Sequence, residues 1–358
     1  MTSDTAASPR GPAPEAGSAS SPPGTGYGGV DASRQAPWRA LLRWETALLV
    51  VLVAVLLLGA AHSPGFLTSG NFFFIGVNEG EVAIMALPLL LIIMTGEIDL
   101  SVASMLGLSG TVMGLLFHDG WNIYLAMLAA VAVGAVGGAL NGFLVARVGL
   151  PSIAVTIGTL TLFRGIAEIL LAPQIVTGFP TRLTSIGVLP ISGTQLGYSA
   201  AIFLLLATVC AVVLHATPLG RSIIAIGLQP EAAQFSGIRV NRIKFGLYVV
   251  SGLVCAFAGV LFALKNSSVS YDAGTGLELN VVAVVLFGGV SIFGGRGTVL
   301  GVVLAAIIFG CLLQVLTQMG VTAEVQNIVT GGLLLISVIV PNAGETLHRL
   351  RARTRRRT

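Results

Sequence analysis

The residues best suited to chemistry lie in a polar stretch between two apolar runs, from Gly96 to Ser104. Glu97 and Asp99 supply two carboxylates there, and Ser101 supplies a hydroxyl. A carboxylate at membrane depth is typical of a proton carrier or a solute site. Asp99 and Ser101 are also residue types that cap a following helix. At this point the stretch is either a capped turn at the membrane interface or a functional site.

Two further charged residues lie in apolar surroundings. Arg164 falls inside the apolar run 151–172, where an unpaired cation is costly. We therefore expect Arg164 to face the protein interior or a wet path and to pair with an acidic side chain. Glu278 follows Gly274 and Gly276, and glycines permit the sharp turns at which helices break.

The sequence lacks the residue patterns that several other kinds of site require. No G-x-x-x-x-G-K-[ST] motif is present, so the chain has no ATP-binding loop of that type. The histidines are far apart and the cysteines lie in apolar runs without metal-type spacing. We expect no metal site, no bound cofactor and no catalytic centre, and the scattered basic residues do not favour a nucleic-acid partner. The residues concerned are His62, His118, His215, His348, Cys210, Cys255 and Cys311.

The elements that position these side chains are predicted to be membrane-spanning helices. Of the 358 residues, 54% are hydrophobic and 9% are charged, against roughly 25% charged in a soluble domain. Apolar runs of about 20 residues suit a hydrocarbon core about 30 Å thick, where the backbone must be paired within each segment. We predict an all-α polytopic membrane protein with about ten transmembrane helices. The predicted spans are 46–62, 73–95, 100–118, 123–146, 151–172, 198–215, 245–264, 277–293, 298–318 and 324–341.

The distribution of charge predicts the orientation of the chain. Basic residues are concentrated near both ends and in alternate loops, which places both termini in the cytoplasm and Lys265 outside. Polar interruptions at 78–81 and 272–278 predict broken or re-entrant helices. Gly134 and Gly138 have a spacing that allows close helix packing. We divide the chain into a disordered cytoplasmic N-terminal tail (1–45), a transmembrane domain (46–341) and a basic cytoplasmic C-terminal tail (342–358).

The longest loop on the predicted cytoplasmic side is 217–244. Pro230 and Gly237 bracket a short helix within it. Exposed Phe235 and Ile238 suit a peg that docks in the groove of a partner protein. The alternative is an amphipathic connector that lies on the lipid headgroups.

Three stretches, 96–104, 141–165 and 220–238, resemble in order and spacing the membrane permeases of the ribose, xylose, rhamnose and autoinducer-2 group of ATP-binding-cassette importers. The first is similar to the G-G-I-D-L-S-V-G-S signature of that family, although Glu97 and Ala103 replace glycines; Glu97 resembles rhamnose-type members. Asn280 stands where aspartate is common. The second stretch matches at Asn141, Gly142, Pro151, Thr156, Gly158, Thr159, Arg164 and Gly165.

The third stretch is similar to the family's cytoplasmic coupling segment, which receives force from the ATPase subunits. The resemblance implies a permease for a monosaccharide or sugar-like solute in a bacterial cell membrane. ATP and magnesium would be bound by separate ATP-binding subunits. An external solute-binding protein would dock on the loop 173–198, and a second permease chain would complete the path. The coupling candidates are Gly220, Arg221, Glu231, Ala232, Ala233, Ser236 and Gly237.

A neutral sugar requires modest polar lining and little charge along its path. An ion-coupled secondary sugar transporter is the alternative, with Glu97, Asp99 or Glu278 carrying a proton. The signature and path candidates are Glu97, Asp99, Ser101, Asn141, Thr156, Thr159, Arg164 and Glu278, and the further path-lining candidates are Asn78, Asn266 and Gln314.

Overall fold

The computed structural model describes residues 44–355, with side chains described as far as Ile339. The predicted tail 1–45 therefore lies almost entirely outside the described residues, as do residues 356–358. Two short strands, β1 (Val176–Thr177) and β2 (Ser268–Val269), pair antiparallel. The helices are α1 (Trp44–His62), α2 (Ser69–Met94), α3 (Val102–His118), α4 (Ile123–Phe143), α5 (Ser152–Leu171), α6 (Thr181–Val188), α7 (Tyr198–Ala216), α8 (Pro218–Leu228), α9 (Pro230–Phe235), α10 (Val240–Asn266), α11 (Leu277–Phe287), α12 (Val299–Gln318) and α13 (Ala323–Arg355).

The prediction of an all-α polytopic membrane protein is confirmed. Seven helices in the described part of the chain are long and apolar enough to cross a membrane: α1, α2, α4 with the π-helical turn that extends it to Val148, α5, α7, α10 and α12. The other three predicted spans correspond to shorter apolar helices, α3, α11 and the segment Ala323–Ile339 of α13. The predicted span 277–293 is wrong in length, since α11 has 11 residues and is about 16 Å long.

The two predicted helix interruptions have opposite outcomes. The break at 78–81 is wrong, because α2 continues through these residues without interruption. The buried Glu81 carboxylate accepts a hydrogen bond from Lys265 Nζ at 2.6 Å, so the polar group is neutralised inside an intact helix. The break at 272–278 is confirmed: α11 begins only at Leu277, after turns in which Gly274 and Gly276 have φ of +74° and +87°.

The core is built around α2 and α10. In the most apolar stretch of α2, 89% of the residues are buried, whereas in that of α1 the share is 17%. A helix that is apolar on all sides belongs in the interior of a bundle, and α2 packs against α7, α10, α11 and α12. Helix α10 packs against α3 and α4 on its other side. Helices α2 and α10 therefore form the centre of the bundle, against which the other helices named here pack.

Glycines allow α4 and α10 to approach closely. A Cβ atom built on Gly252 of α10 would lie 2.9 Å from the Cα of Gly138 in α4. A Cβ built on Gly138 would lie 3.1 Å from the Cα of Val249. Such distances leave no room for a side chain, so the two backbones are in direct contact, as is typical of small-residue helix packing in membranes.

We expect Gly138→Leu to lower the thermal stability of the protein in detergent, because a side chain at this contact must separate α4 from α10. Overpacking of this kind costs about 1–3 kcal/mol. Gly158→Leu is the matched control, since Gly158 is an exposed helical glycine with open space around it. The unfolding temperature, followed by loss of the monodisperse size-exclusion peak on heating, measures both. Equal unfolding temperatures for the two variants would contradict the close contact.

Candidate functional site

The segment between α2 and α3 enters the bundle as non-helical chain. Asp99 and Ser101 are 3% and 2% exposed. The Asp99 carboxylate accepts hydrogen bonds from the Ser101 backbone N at 2.9 Å and from Ser101 Oγ at 2.6 Å. Its second oxygen accepts from Ser251 Oγ of α10 at 3.4 Å. This geometry favours the structural-turn interpretation, because the carboxylate fixes the turn at Ser101 that immediately precedes α3. The Ser101 side chain makes no cap hydrogen bond to α3.

Side chains from α4 and α5 complete this network. Asn141 Nδ2 donates to Ser101 Oγ at 2.8 Å. The Ile98 backbone N donates to Ser152 Oγ at 3.1 Å, and Thr156 Oγ1 donates to the Ile98 carbonyl at 3.3 Å. The structure therefore brings together four predicted site residues, Asp99, Ser101, Asn141 and Thr156. Each of them is at most 3% exposed, so none contacts a solute in this conformation.

Two predicted residues outside this network have their own partners. Thr159 is buried, and its hydroxyl donates to the Thr156 carbonyl at 3.4 Å, within α5. Glu97 forms an ion pair with Lys244 at the start of α10. The pair ties the α2–α3 segment to α10 and gives the carboxylate at this position a partner.

Arg164 is paired with an acidic side chain, as predicted. Its Nη2 lies 3.2 Å from Glu278 Oε2 and donates to the Gly274 carbonyl at 3.3 Å. Its Nη1 donates to Thr275 Oγ1 at 2.5 Å. Glu278 lies in the first turn of α11, where the helix dipole favours a negative charge. Arg164 of α5 therefore holds the turn that precedes α11.

The segment α8–α9 carries an exposed aromatic side chain. Phe235 at the end of α9 is 93% exposed. The prediction that Ile238 is exposed is wrong, because Ile238 packs against the buried Ile226, Ala233 and Val240. Of the predicted coupling residues, Gly220 and Ala233 are buried, whereas Arg221, Glu231, Ala232, Ser236 and Gly237 are exposed.

Backbone contacts connect α8 to the interior of the bundle. Gly227, near the end of α8, lies against Met94 at the end of α2, and a Cβ built on it would lie 3.0 Å from the Cα of Gly295. The Gly295 backbone N donates to the Met94 carbonyl at 2.9 Å. Gly294, with φ of +82°, approaches both Gly227 and Gly96. We call Gly96, Gly227, Gly294 and Gly295 the glycine junction.

A family model for the permease component of branched-chain amino acid transport systems matches residues 73–338. The chain belongs to this permease family. The ribose import permease protein RbsC of Escherichia coli strain K12 is 35% identical over 301 residues, which cover 83% of this chain and 94% of that protein. The autoinducer 2 import system permease protein LsrD of Klebsiella pneumoniae is 32% identical over 314 residues, covering 86% and 93%. No solved structure matches the chain.

The resemblance to sugar permeases found in the sequence is thus confirmed at the level of the family. The matched region begins within α2 and ends within α13. Every polar contact described above lies inside it. Helix α1 lies outside the matched region of this permease.

Sequence reasoning missed two ion pairs in this permease, Glu97 with Lys244 and Glu81 with Lys265. Lys265 was placed outside the membrane, but its Nζ lies 2.6 Å from Glu81 Oε2 and donates to the Val77 carbonyl at 3.1 Å. Glu81 is 1% exposed. An acidic residue within an apolar run requires a partner. Lys265, a basic residue at the end of another apolar run, was the sequence feature that could have predicted its pairing with Glu81. The predicted path residue Gln314 is also engaged, since its Nε2 donates to Asn71 Oδ1 at 2.8 Å.

We expect Lys244→Met to lower the unfolding temperature, because it leaves the partly buried Glu97 carboxylate without its partner. A stranded charge of this kind costs about 1–3 kcal/mol. Glu97→Gln combined with Lys244→Met should recover most of the loss, since no charge is then stranded. Arg182→Met, at an exposed basic residue, is the control. Additive losses in the double variant would show that the two side chains are not coupled.

Proposed function

We propose that this chain is the membrane-spanning permease subunit of an ATP-driven importer for a neutral sugar or sugar-like solute. The observation that carries the proposal is the α8–α9 segment, which exposes Phe235 and rests on the glycine junction. The names of the relatives, ribose import permease and autoinducer 2 import system permease, support a sugar-like solute. ATP and magnesium are bound by separate ATP-binding subunits in this proposal, because the sequence has no ATP-binding loop of its own.

The exposed Phe235 supports docking on a partner protein over docking on lipid. A six-residue α9 presents one large aromatic side chain, and an aromatic anchor in a pocket is the usual centre of a protein interface. The exposed Glu231 and Gln234 flank it and form a polar rim. The ATP-binding subunits therefore contact this segment, and the loop 217–244 is cytoplasmic, as are both termini.

The glycine junction provides a route for force. Movement of α9 displaces α8, and α8 is in backbone contact with the end of α2 and with Gly295 between α11 and α12. Packed backbone contacts transmit small displacements because they cannot compress. ATP-dependent closure of the partner subunits thereby changes the position of α2 and α11.

The paired charges support a neutral solute. The carboxylates that a proton-coupled carrier is predicted to use are Glu97, Asp99 and Glu278. Glu97 and Glu278 are held by ion pairs, and Asp99 is held by hydrogen bonds from Ser101 and Ser251. A carrier that cycles a proton requires a carboxylate that is released during transport, and these three instead stabilise the bundle. This arrangement favours the ATP-driven importer over the ion-coupled alternative.

The remaining partners are assigned to the other end of the bundle and to the membrane plane. The loop 173–198, which contains β1 and α6, provides the platform for an external solute-binding protein. A second permease chain, either another copy or a sister subunit, completes the path. The apolar face of α5, with Ile169 at 85% exposure, lies in the bilayer or against that chain. The assembly resides in a bacterial cell membrane.

Replacing Phe235, the exposed aromatic side chain of α9, tests the proposal. Phe235→Ser should abolish copurification with the ATP-binding subunit and abolish sugar uptake, while the protein remains folded in the membrane. Glu231→Arg should weaken both. The matched control is Ile175→Ser, at a residue in the loop 173–198 that is 65% exposed. Normal copurification and uptake by Phe235→Ser would contradict the docking of the ATP-binding subunit on α9. Proton-driven uptake by the chain alone would show that it is an ion-coupled secondary transporter.

Gly227→Ala tests the route for force. The added methyl must displace the end of α2 or Gly295, so the variant should bind the ATP-binding subunit but couple its hydrolysis poorly. We expect a lower ratio of sugar molecules transported to ATP hydrolysed in proteoliposomes. Gly246→Ala is the control, because Gly246 has open space around it. An unchanged ratio would show that the junction does not transmit force.

A further inference from the structure

A polar cavity of about 540 Å³ lies where α10 ends and α11 begins. Its lining includes Asn266, Ser268, Ser270, Asp272 and Thr275. A second cavity, of about 250 Å³ between α2, α7 and α12, is lined almost entirely by apolar side chains, with Glu79 as the exception. Of these two, the first offers several hydrogen-bonding side chains to a ligand. A third cavity, of about 650 Å³, lies beside α8 and the start of α10, and its lining includes Arg239 and Arg242.

Arg164 fixes one wall of the polar cavity. Two of the cavity's lining residues, Gly274 and Thr275, accept hydrogen bonds from its guanidinium at 3.3 Å and 2.5 Å. The same guanidinium is neutralised by Glu278 at 3.2 Å. Thr275 Oγ1 also donates to the Asp272 carbonyl at 2.6 Å. The turn is therefore held rigidly, and a preorganised wall lowers the cost of binding.

The cavity wall extends into the bundle. A Cβ built on Gly274 would lie 3.3 Å from the Ala103 carbonyl in the first turn of α3. Ala103 is 15 residues before His118 at the other end of α3, a distance of about 22 Å along the helix. Val269, which also lines the cavity, lies against Gly114 near the other end of α3, so the wall follows most of the length of this helix.

The lining matches the chemistry of hydroxyl groups. Each hydroxyl both donates and accepts, so a polyol requires both kinds of partner. Asp272 offers an acceptor. Asn266 offers its amide oxygen and one hydrogen of Nδ2, since Nδ2 already donates to the Phe262 carbonyl at 2.8 Å. Ser268 offers its oxygen as an acceptor, because its Oγ donates to the Asn266 carbonyl at 3.2 Å. Gly276 precedes α11 and has no side chain to cap it. The backbone N–H groups of the first turn after Leu277, whose own N–H donates to Gly274, are additional donors.

We propose that this cavity is an intramembrane recognition site for a neutral sugar, with Asp272, Asn266 and Ser268 contacting its hydroxyls and Arg164 holding the wall in position. The inference rests on the proposed function and specifies where the solute is held within the permease. Because Arg164 and Glu278 neutralise one another, Asp272 is left to accept from a hydroxyl. Among the described residues that line the cavity, none is a cation that could bind an anionic solute.

Site-specific thiol labelling in membrane vesicles tests the cavity without any partner protein. Ser270→Cys places a thiol in the lining, and the three native cysteines are buried. The rate of reaction with a membrane-impermeant maleimide is measured with D-ribose, L-rhamnose, L-leucine or inorganic phosphate. At twice the dissociation constant of a sugar, two-thirds of the sites are filled, and labelling should slow about threefold. Ser192→Cys, on the exposed loop 173–198, should label at the same rate with or without sugar.

A second variant separates solute contact from fold. The Asp272 backbone carbonyl binds Thr275, so Asp272→Ala leaves the hydrogen bonds of Arg164 in place. Loss of a hydrogen bond to a charged group weakens binding about tenfold or more. When it is combined with Ser270→Cys, Asp272→Ala should therefore remove the protection of the thiol by sugar. The labelling rate in the absence of sugar should stay unchanged.

The outcomes distinguish this inference from the proposed function. Protection by a sugar, lost with Asp272→Ala, supports the site. Protection by leucine or phosphate equal to that by sugar would overturn the class of solute. Absence of protection at every sugar concentration overturns the site, and sugar uptake by the assembled importer then decides separately whether the importer function stands.

Discussion

Charges inside an apolar bundle must be paired, and the rest of this structure depends on that constraint. With 9% charged residues, the chain has few charged groups to place. In the part of the chain that the structure describes, three ion pairs nevertheless join residues that are 114 to 184 positions apart in sequence. Removing one partner of such a pair strands the other in a medium that cannot solvate it. Each pair therefore specifies which helices are neighbours, in a membrane where apolar side chains alone do not discriminate between them. The pairs are Glu97 with Lys244, Glu81 with Lys265 and Arg164 with Glu278.

Helix α10 supplies the basic partner of two of these three ion pairs. This helix binds side chains of the α2–α3 segment through Lys244 at its start and Ser251 in its middle. At its end, Lys265 binds Glu81 of α2. On its other face Gly252 brings α4 into backbone contact. The non-helical residues before α3 are tolerated within the bundle because Ser152 and other side chains satisfy their backbone groups.

The short helix α11 connects the two functional regions. It begins at the polar cavity, where Arg164 holds its first turn through Glu278. It ends at Phe287, a few residues before the glycine junction that contacts α8. A rod of 11 residues, about 16 Å long, therefore spans the distance between the proposed solute site and the proposed docking segment. Displacement of one end alters the other because a helix is stiff over this length.

The sequence by itself determined the class of protein and the approximate position of the seven long apolar helices found in the described part of the chain. It also determined the break before α11, the short helix that begins at Pro230 and the need of Arg164 for an acidic partner. These follow from local physics: hydropathy, helix length and the cost of an isolated charge are properties of a single segment. Only the tertiary structure decided that Glu81 lies in an unbroken helix, that Asp99 is buried against Ser251 of α10, that Ile238 is packed inward and that Asn266 borders a cavity. The physical reason is that each of these outcomes depends on a partner contributed by a distant segment, and apolar runs of similar composition do not specify which runs become neighbours.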